Sequence, residues 1–290
     1  FDPDEISVDA ELEVPSGKVL SIPAYWHADY TRKLEGRREV LGEAGKPHWR
    51  VRFAPLEEGR HGVKVSAKVR GKLAAEGRGE LPVSSGKGRG FVRIEGKSKR
   101  NFRLDDGSPL FLIGLCACWH GERGTYDYDD WLPAYEKAHI NYIRIWMWPQ
   151  AFGIEWEKGD RLRYKLDRAW TLDYVLAEAE RRGVYVLLCF DYHGMFEVKK
   201  DFWGGNNYWP QNPYNAASGG PCADPNEFFT KAEARALYKK RLRYMVARWS
   251  AFPNVLAWEF FNEIDNVYKY LKHEDVVAWH AEMARHLRSI

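Results

Sequence analysis

NYIRIWMW, residues 141–148, is the stretch on which the fold turns. Successive side chains of a β-strand point to opposite faces. Tyr142, Arg144, Trp146 and Trp148 therefore share one face, and Ile143, Ile145 and Met147 share the other. The aliphatic face suits covering helices. The second face holds a charge in mid-strand among aromatic rings, which suits the interior and mouth of a barrel.

On both sides of this strand the chain repeats one rhythm. PLFLIGLCACW (109–119) reads as a buried strand and DYDDWLPAYEKAHI (127–140) as a helix. LDRAWTLDYVLAEAERRG (166–183) reads as a helix with Trp170, Leu172, Val175, Leu176 and Ala179 on one face and Gly183 as its stop. VYVLLCFDY (184–192) is again a strand. After a long loop come a helix from about Asn226 to Trp249, the strand VLAWEFFNE (255–263), and a helix that uses Val276, Val277, His280, Ala284 and Leu287. Four βα units in succession mean parallel strands covered by helices, in a barrel or a doubly wound sheet. No GxGxxG follows the first strand, which removes the main support for a dinucleotide fold. With the two-faced strand, this favours a (β/α)8 TIM-type barrel. Such a barrel takes about 250 residues and eight units, so residues 110–290 are expected to form its N-terminal half.

The first 95 residues have a different pattern. KVLSIPAYW, HWRVRFAP, HGVKVSAKV and GFVRI alternate in polarity between Gly, Pro and charged turns, the mark of a small antiparallel β-sandwich over 1–95. GKSKRNFRLDDGSP (96–109) shifts to turn chemistry and is expected as a linker.

Forty-five per cent hydrophobic residues are ample for a core, and a net charge of +3 from 44 basic and 41 acidic residues is too balanced to steer nucleic acid or membrane binding. Only KGRGFVRIEGKSKR (87–100) is locally basic, and it reads as solvated. No run of 18 or more apolar residues exists to span a membrane. Cys116, Cys118, Cys189 and Cys222 show no CxxC pairing, and three of them lie in apolar runs, so reduced, buried thiols are expected. The chain begins FDPDE, without Met, so it is expected to be either a mature secreted or periplasmic product or an excised piece of a longer chain.

Barrel enzymes carry their reactive groups at the C-terminal ends of strands. Here those ends read Trp119 and His120, then Trp146 and Trp148, then Asp191 and His193, then Asn262 and Glu263. Four polar or aromatic endings in succession point to one mouth. Asp191 and His193 lack a third ligand nearby, so neither a metal nor another cofactor is expected. Trp203, Tyr208 and Trp209 lie in the Gly/Asn-rich loop DFWGGNNYWPQNPYNAASGGP (201–221), where flat rings suit the apolar faces of pyranoses.

An Asn-Glu pair ending the fourth strand, an Arg on the second and a His ending the third resemble the cellulase-type glycoside hydrolases of clan A, close to family five. That resemblance implies Glu263 as general acid/base, Asn262 as the ligand of a sugar 2-hydroxyl, and Arg144 and His193 as lining of the glycone subsite. Glu259, deeper on the strand, reads as a structural partner for Arg144. The segments FDPDE, HWRVRFAP, NPYNAASGGP and PNEFF are similar to those of bacterial proteins, classed as glycosidases, in which an immunoglobulin-like domain precedes the barrel. Between them the resemblances cover nearly the whole chain.

The expected activity is hydrolysis of a β-linked glucan, mannan or related glycan by a retaining mechanism. Such a mechanism needs one protonated carboxyl and a second about 5–5.5 Å away. Phe260 and Phe261 are expected to desolvate Glu263 enough to keep it an acid near neutrality. In the family resembled, the nucleophile ends the seventh strand, which these residues do not reach. This chain alone is therefore expected to be inactive, its other half-barrel supplied in cis or by a second chain. The competing expectations are a non-catalytic carbohydrate-binding protein on a degenerate barrel, and a protein-interaction module made of the sandwich and basic stretch.

Overall fold

Most of the alternation read from residues 1–95 is realised as two antiparallel sheets, but GFVRI joins a separate third sheet and HWRVRFAP leaves the strand after Arg50. The computed structural model describes residues 2–290 except 87, 97, 98, 157, 201, 203 and 268–270. Strands β1 (Ile6–Glu13), β2 (Val19–Pro23), β3 (Tyr25–Glu35), β4 (Arg38–Arg50), β5 (Gly59–Val69) and β6 (Lys72–Val83) come first. One sheet has the order β2-β1-β5-β6 and the other is the β3-β4 hairpin. Val8, Ala10 and Leu12 point inward from β1, while Glu11 and Glu13 between and beyond them stay in water.

The expected linker is not a plain tether. Strands β7 (Val92–Ile94), β8 (Phe102–Leu104) and β9 (Pro109–Leu110) form a three-stranded antiparallel sheet. The Asp-Asp-Gly turn is real, with Gly107 at φ +84° and Asp106 accepting the Ser108 N–H at 2.9 Å. It folds its flanks into a hairpin, because Leu104 and Leu110 gain burial against Tyr185 and Leu256 at the beginnings of two barrel strands. The small sheet thus packs against the end of the parallel sheet opposite the mouth.

Next come β10 (Gly114–Cys116), α1 (Thr125–Lys137), β11 (Tyr142–Trp146), α2 (Leu166–Arg181), β12 (Tyr185–Tyr192), α3 (Glu227–Thr230), α4 (Ala232–Trp249), β13 (Val255–Asn262) and α5 (His273–Ser289). The parallel sheet has the order β10-β11-β12-β13. A doubly wound sheet reverses its order at a switch point, whereas a barrel adds each strand beside the last, as here. Ile143 and Ile145 are fully buried and Met147 nearly so, while Tyr142, Arg144 and Trp146 on the other face keep partial access.

Four details differ from the sequence reading. PLFLIGLCACW does not form one buried strand: it splits between β9 and β10, and Phe111 and Ile113 are exposed where the chain passes to the sheet's edge. The 226–249 helix breaks at Lys231, whose ψ of 125° is extended. Helix α5 packs Val276, His280 and Leu287 on the core as expected, but its centre is Trp279 and Met283 and Val277 lies off the face. Val277 is exposed while Trp279 and Met283 are buried, because the indole fits among Phe228, Phe229, Tyr238 and Phe261 and brings far more area out of water than a valine. Trp170 likewise leaves the buried stripe of α2 and lies against Tyr30 and Tyr174.

The β-domain is joined to the barrel segment through a buried carboxylate. Asp173 of α2 accepts from Arg248 Nε at 3.0 Å, Arg52 Nη2 at 3.1 Å and Trp249 Nε1 at 2.8 Å. Arg52 also donates to the Arg248 carbonyl, and both guanidiniums lie over the Tyr25 ring. Burial alone would raise the pKa of Asp173, but Arg248 and Arg52 outweigh it and hold the carboxyl below its ordinary 3.8. Its stabilising contribution is therefore present above pH 3.8 and lost as pH falls through the lower folded-state value. Asp173→Asn is expected to cost about 3–5 kcal/mol, since two guanidiniums lose their counter-ion. The variant should also lose less further stability than the wild type on acidification below that value. Denaturant unfolding across the acid range checks both, and an unchanged acid limb contradicts the assignment.

Candidate active site

At the mouth, side chains from β11 and β13 meet across β12. Arg144 donates from Nε and Nη2 to the two Glu259 oxygens at 2.8 and 2.5 Å, and from Nη2 to Asn262 Oδ1 at 2.9 Å. Burial opposes the charge, yet Glu259 more than offsets it and holds the guanidinium above its usual range. This pairing bears out Glu259 as the structural partner read from the sequence. It also shows where strict alternation ends, since Glu259 and Asn262 are three residues apart and both reach one guanidinium.

Asn262 is 3% exposed, and its Nδ2 has no hydrogen-bond partner among the described residues. Arg144 engages the amide oxygen, so the amide's orientation is set and its N–H groups are the donors left over. One residue on, Glu263 adopts φ +53°, a region that a glutamate seldom enters. The turn brings its carboxyl to a half-exposed position, where Oε2 accepts from Asn266 Nδ2 at 2.9 Å and lies 3.6 Å from His193 Nδ1. Strain at an isolated backbone position is a known companion of functional groups. Asn266 was not among the residues singled out from sequence; its place three residues after Glu263 in a tight turn was the available signal.

Phe260 and Phe261 do not flank the Glu263 carboxyl. Their rings pack on Trp279 and His280 of α5, where more apolar surface is available, so they do not desolvate it.

The aromatic endings converge. Trp119 stacks on Trp148 with centroids 4.8 Å apart and lies 5.3 Å from Trp146, whose ring sits under Arg144. Trp148 meets Tyr192 at 4.7 Å and Tyr208 at 6.2 Å, and Trp156 meets Tyr208 at 5.4 Å. Tyr192 and Trp156, 3% and 5% exposed, back these rings from the core. Trp209 does not join it: only 4% exposed, it packs near Phe196 as part of the core. Trp203 lies outside the described residues.

Two other strand-end residues turn away from the mouth. His120 stands edge-on to Phe152 and engages the Gly121 carbonyl through Nδ1, and burial lowers its pKa. Asp191 faces the helices, where it accepts from Tyr238 Oη at 2.7 Å and Arg241 Nη1 at 2.8 Å. That commitment leaves it no part in metal binding beside His193. All four cysteines are free thiols, but only Cys189 and Cys222 are buried and Cys116 is exposed on the edge strand. Burial pushes Cys118 up to about 11, with Cys116 adding to the shift, and pushes Cys222 up to about 12. These two are poor nucleophiles at neutral pH.

No protein-family model matches the chain. It is 27% identical over 234 residues to mannan endo-1,4-beta-mannosidase 1 of Oryza sativa subsp. japonica, covering 75% of this chain and 50% of the relative. It is 28% identical over 218 residues to mannan endo-1,4-beta-mannosidase 7 of Arabidopsis thaliana, covering 69% and 46%. The chain thus spans about half the length of the curated relatives it matches. A crystal structure from Bacteroides vulgatus, assigned provisionally to the glycoside hydrolases, superposes with a TM-score of 0.63 at 16% identity, over 98% of this chain and 49% of that one. At that identity the likeness shows a shared fold.

Arg144→Met alone strands the Glu259 carboxylate on the inner face of the sheet, at an expected cost of about 3 kcal/mol. Adding Glu259→Met should recover most of that loss. Urea unfolding of single and double variants measures the coupling, and additive losses contradict it.

Proposed function

We propose that this chain carries the acid/base side of a retaining glycoside hydrolase acting on β-1,4-mannan or a closely related β-linked glycan. The observation that carries the reading is the strand end at Asn262-Glu263. Arg144 clamps the amide while the next residue, at φ +53°, turns its carboxyl to within 3.6 Å of His193 Nδ1. Similarity to the mannan endo-1,4-beta-mannosidases directs the substrate class toward mannan.

In this reading Glu263 donates its proton to the glycosidic oxygen as the bond breaks and later takes a proton from the attacking water. Asn262 Nδ2 donates to the 2-hydroxyl of the sugar in the cleft, and Asn266 holds the Glu263 carboxyl in place beside His193. Trp119 and Trp148 offer a ring face to a pyranose. Glu259 is bound through both oxygens to Arg144 and does not serve as nucleophile. The nucleophilic carboxylate is assigned to a later barrel strand, outside these residues, so this chain alone should not turn over substrate. The all-β segment is assigned to the immunoglobulin-like class, and a polymeric substrate fits action outside the cytoplasm.

Glu263→Gln in the intact enzyme is expected to lower turnover of β-1,4-mannan by roughly 10²–10⁴-fold while oligosaccharide affinity holds, because the amide keeps the shape but supplies no proton. Steady-state rates paired with calorimetric binding check this. Wild-type turnover of a substrate with a poor leaving group contradicts the role.

A further inference from the structure

We propose that the β3–β4 hairpin of the N-terminal β-domain forms the distal wall of the glycan cleft, with Glu35 and Arg38 binding hydroxyls of sugar units beyond the Trp119–Trp148 platform. The inference rests on the proposed function and extends it to a part of the chain for which the sequence suggested no role in sugar binding. A cleft of about 1030 Å³ lies between the two domains, lined by Glu35, Arg38 and Glu39 from the hairpin and by Trp119, Trp148 and Arg168 from the barrel segment. Sites for single small ligands run to about 300–1,000 Å³, so this cleft has room for several pyranose rings. It meets the candidate active site at Trp119 and Trp148, which line the cleft while Trp119 packs 5.3 Å from Trp146, the ring under Arg144.

The hairpin is held in place by a built contact. The Glu39 N–H donates to the Glu122 carbonyl at 2.9 Å, and the Glu39 carboxylate accepts the Thr125 N–H at 3.0 Å and the Thr125 hydroxyl. Gly124, at φ +59°, presses against that carboxylate so closely that a Cβ there would collide with it. Lower on the hairpin, Arg32 donates to Asp129 at 2.7 Å and lies over the rings of Tyr126 and Tyr174 at 4.2 and 4.1 Å. Glu39 is thus spent on docking. Glu35 and Arg38 flank the turn, are exposed and line the cleft. A carboxylate and a guanidinium facing one cleft suit an uncharged, hydroxyl-rich chain, which can donate to the first and accept from the second.

The test is titration calorimetry on the intact protein carrying Glu263→Gln, with β-1,4-mannohexaose, cellohexaose and β-1,4-mannobiose as probes. Arg38→Ala and Glu35→Ala are each expected to weaken binding of whichever hexaose the parent binds by about tenfold, the worth of a charged hydrogen bond, and to leave mannobiose affinity unchanged. Arg38→Lys should restore part of the loss. Hexaose affinity that is unchanged in both alanine variants, or a loss equal for long and short sugars, overturns the distal-wall assignment and leaves the proposed function standing. A parent that binds none of the three sugars overturns both.

Discussion

A guanidinium on the inner face of a parallel sheet must be neutralised where it stands, and the arrangement of this site follows from how Arg144 is satisfied. Its countercharge comes from Glu259 two strands away, so the two oxygens of that carboxylate tie β11 to β13 across β12. The remaining reach of the fork takes the Asn262 oxygen. With that amide clamped, the strand stops following the pleat and the next residue leaves through a left-handed turn. Glu263 thus leaves the strand directly beyond the amide that Arg144 holds.

A second buried cluster supports the loops that carry the aromatic wall. Arg241, almost wholly buried, pairs with Asp191 and lies 3.9 Å from Glu155. Glu155 accepts the Leu162 N–H at 2.8 Å and the Tyr214 hydroxyl at 3.2 Å. Burial pushes the pKa of Glu155 up even with Arg241 nearby. These bonds join α4, β12 and the two loops that present Trp148, Trp156 and Tyr208, and they hold the rings without contributing any group to the mouth.

Much of this was legible from residue order, for physical reasons. The faces of 141–148 could be read because alternation is a property of any strand, and the Arg144–Glu259 pair could be read because an isolated charge there demands a partner. What stayed illegible depended on three-dimensional competition. Trp209 resembled its neighbours in a polar loop, but the core around Phe196 offered it burial. Phe260 and Phe261 are adjacent to Glu263 in sequence, yet α5 presented a larger apolar surface on the other side. Asp191 reads like a mouth residue until Arg241 arrives from a helix fifty positions later. The reach of the β3–β4 hairpin over the barrel's first loop had no local signal, since it is fixed by Glu39 meeting Thr125 across 86 residues.

The most direct measurement is a crystal structure of the intact Glu263→Gln protein with β-1,4-mannohexaose bound. The account predicts a glycosidic oxygen within about 3 Å of the residue-263 side chain, the adjoining 2-hydroxyl on Asn262 Nδ2, and a pyranose against the Trp119–Trp148 pair. Sugar bound away from this mouth, or lying in it with residue 263 facing solvent and Asn262 untouched, would contradict it.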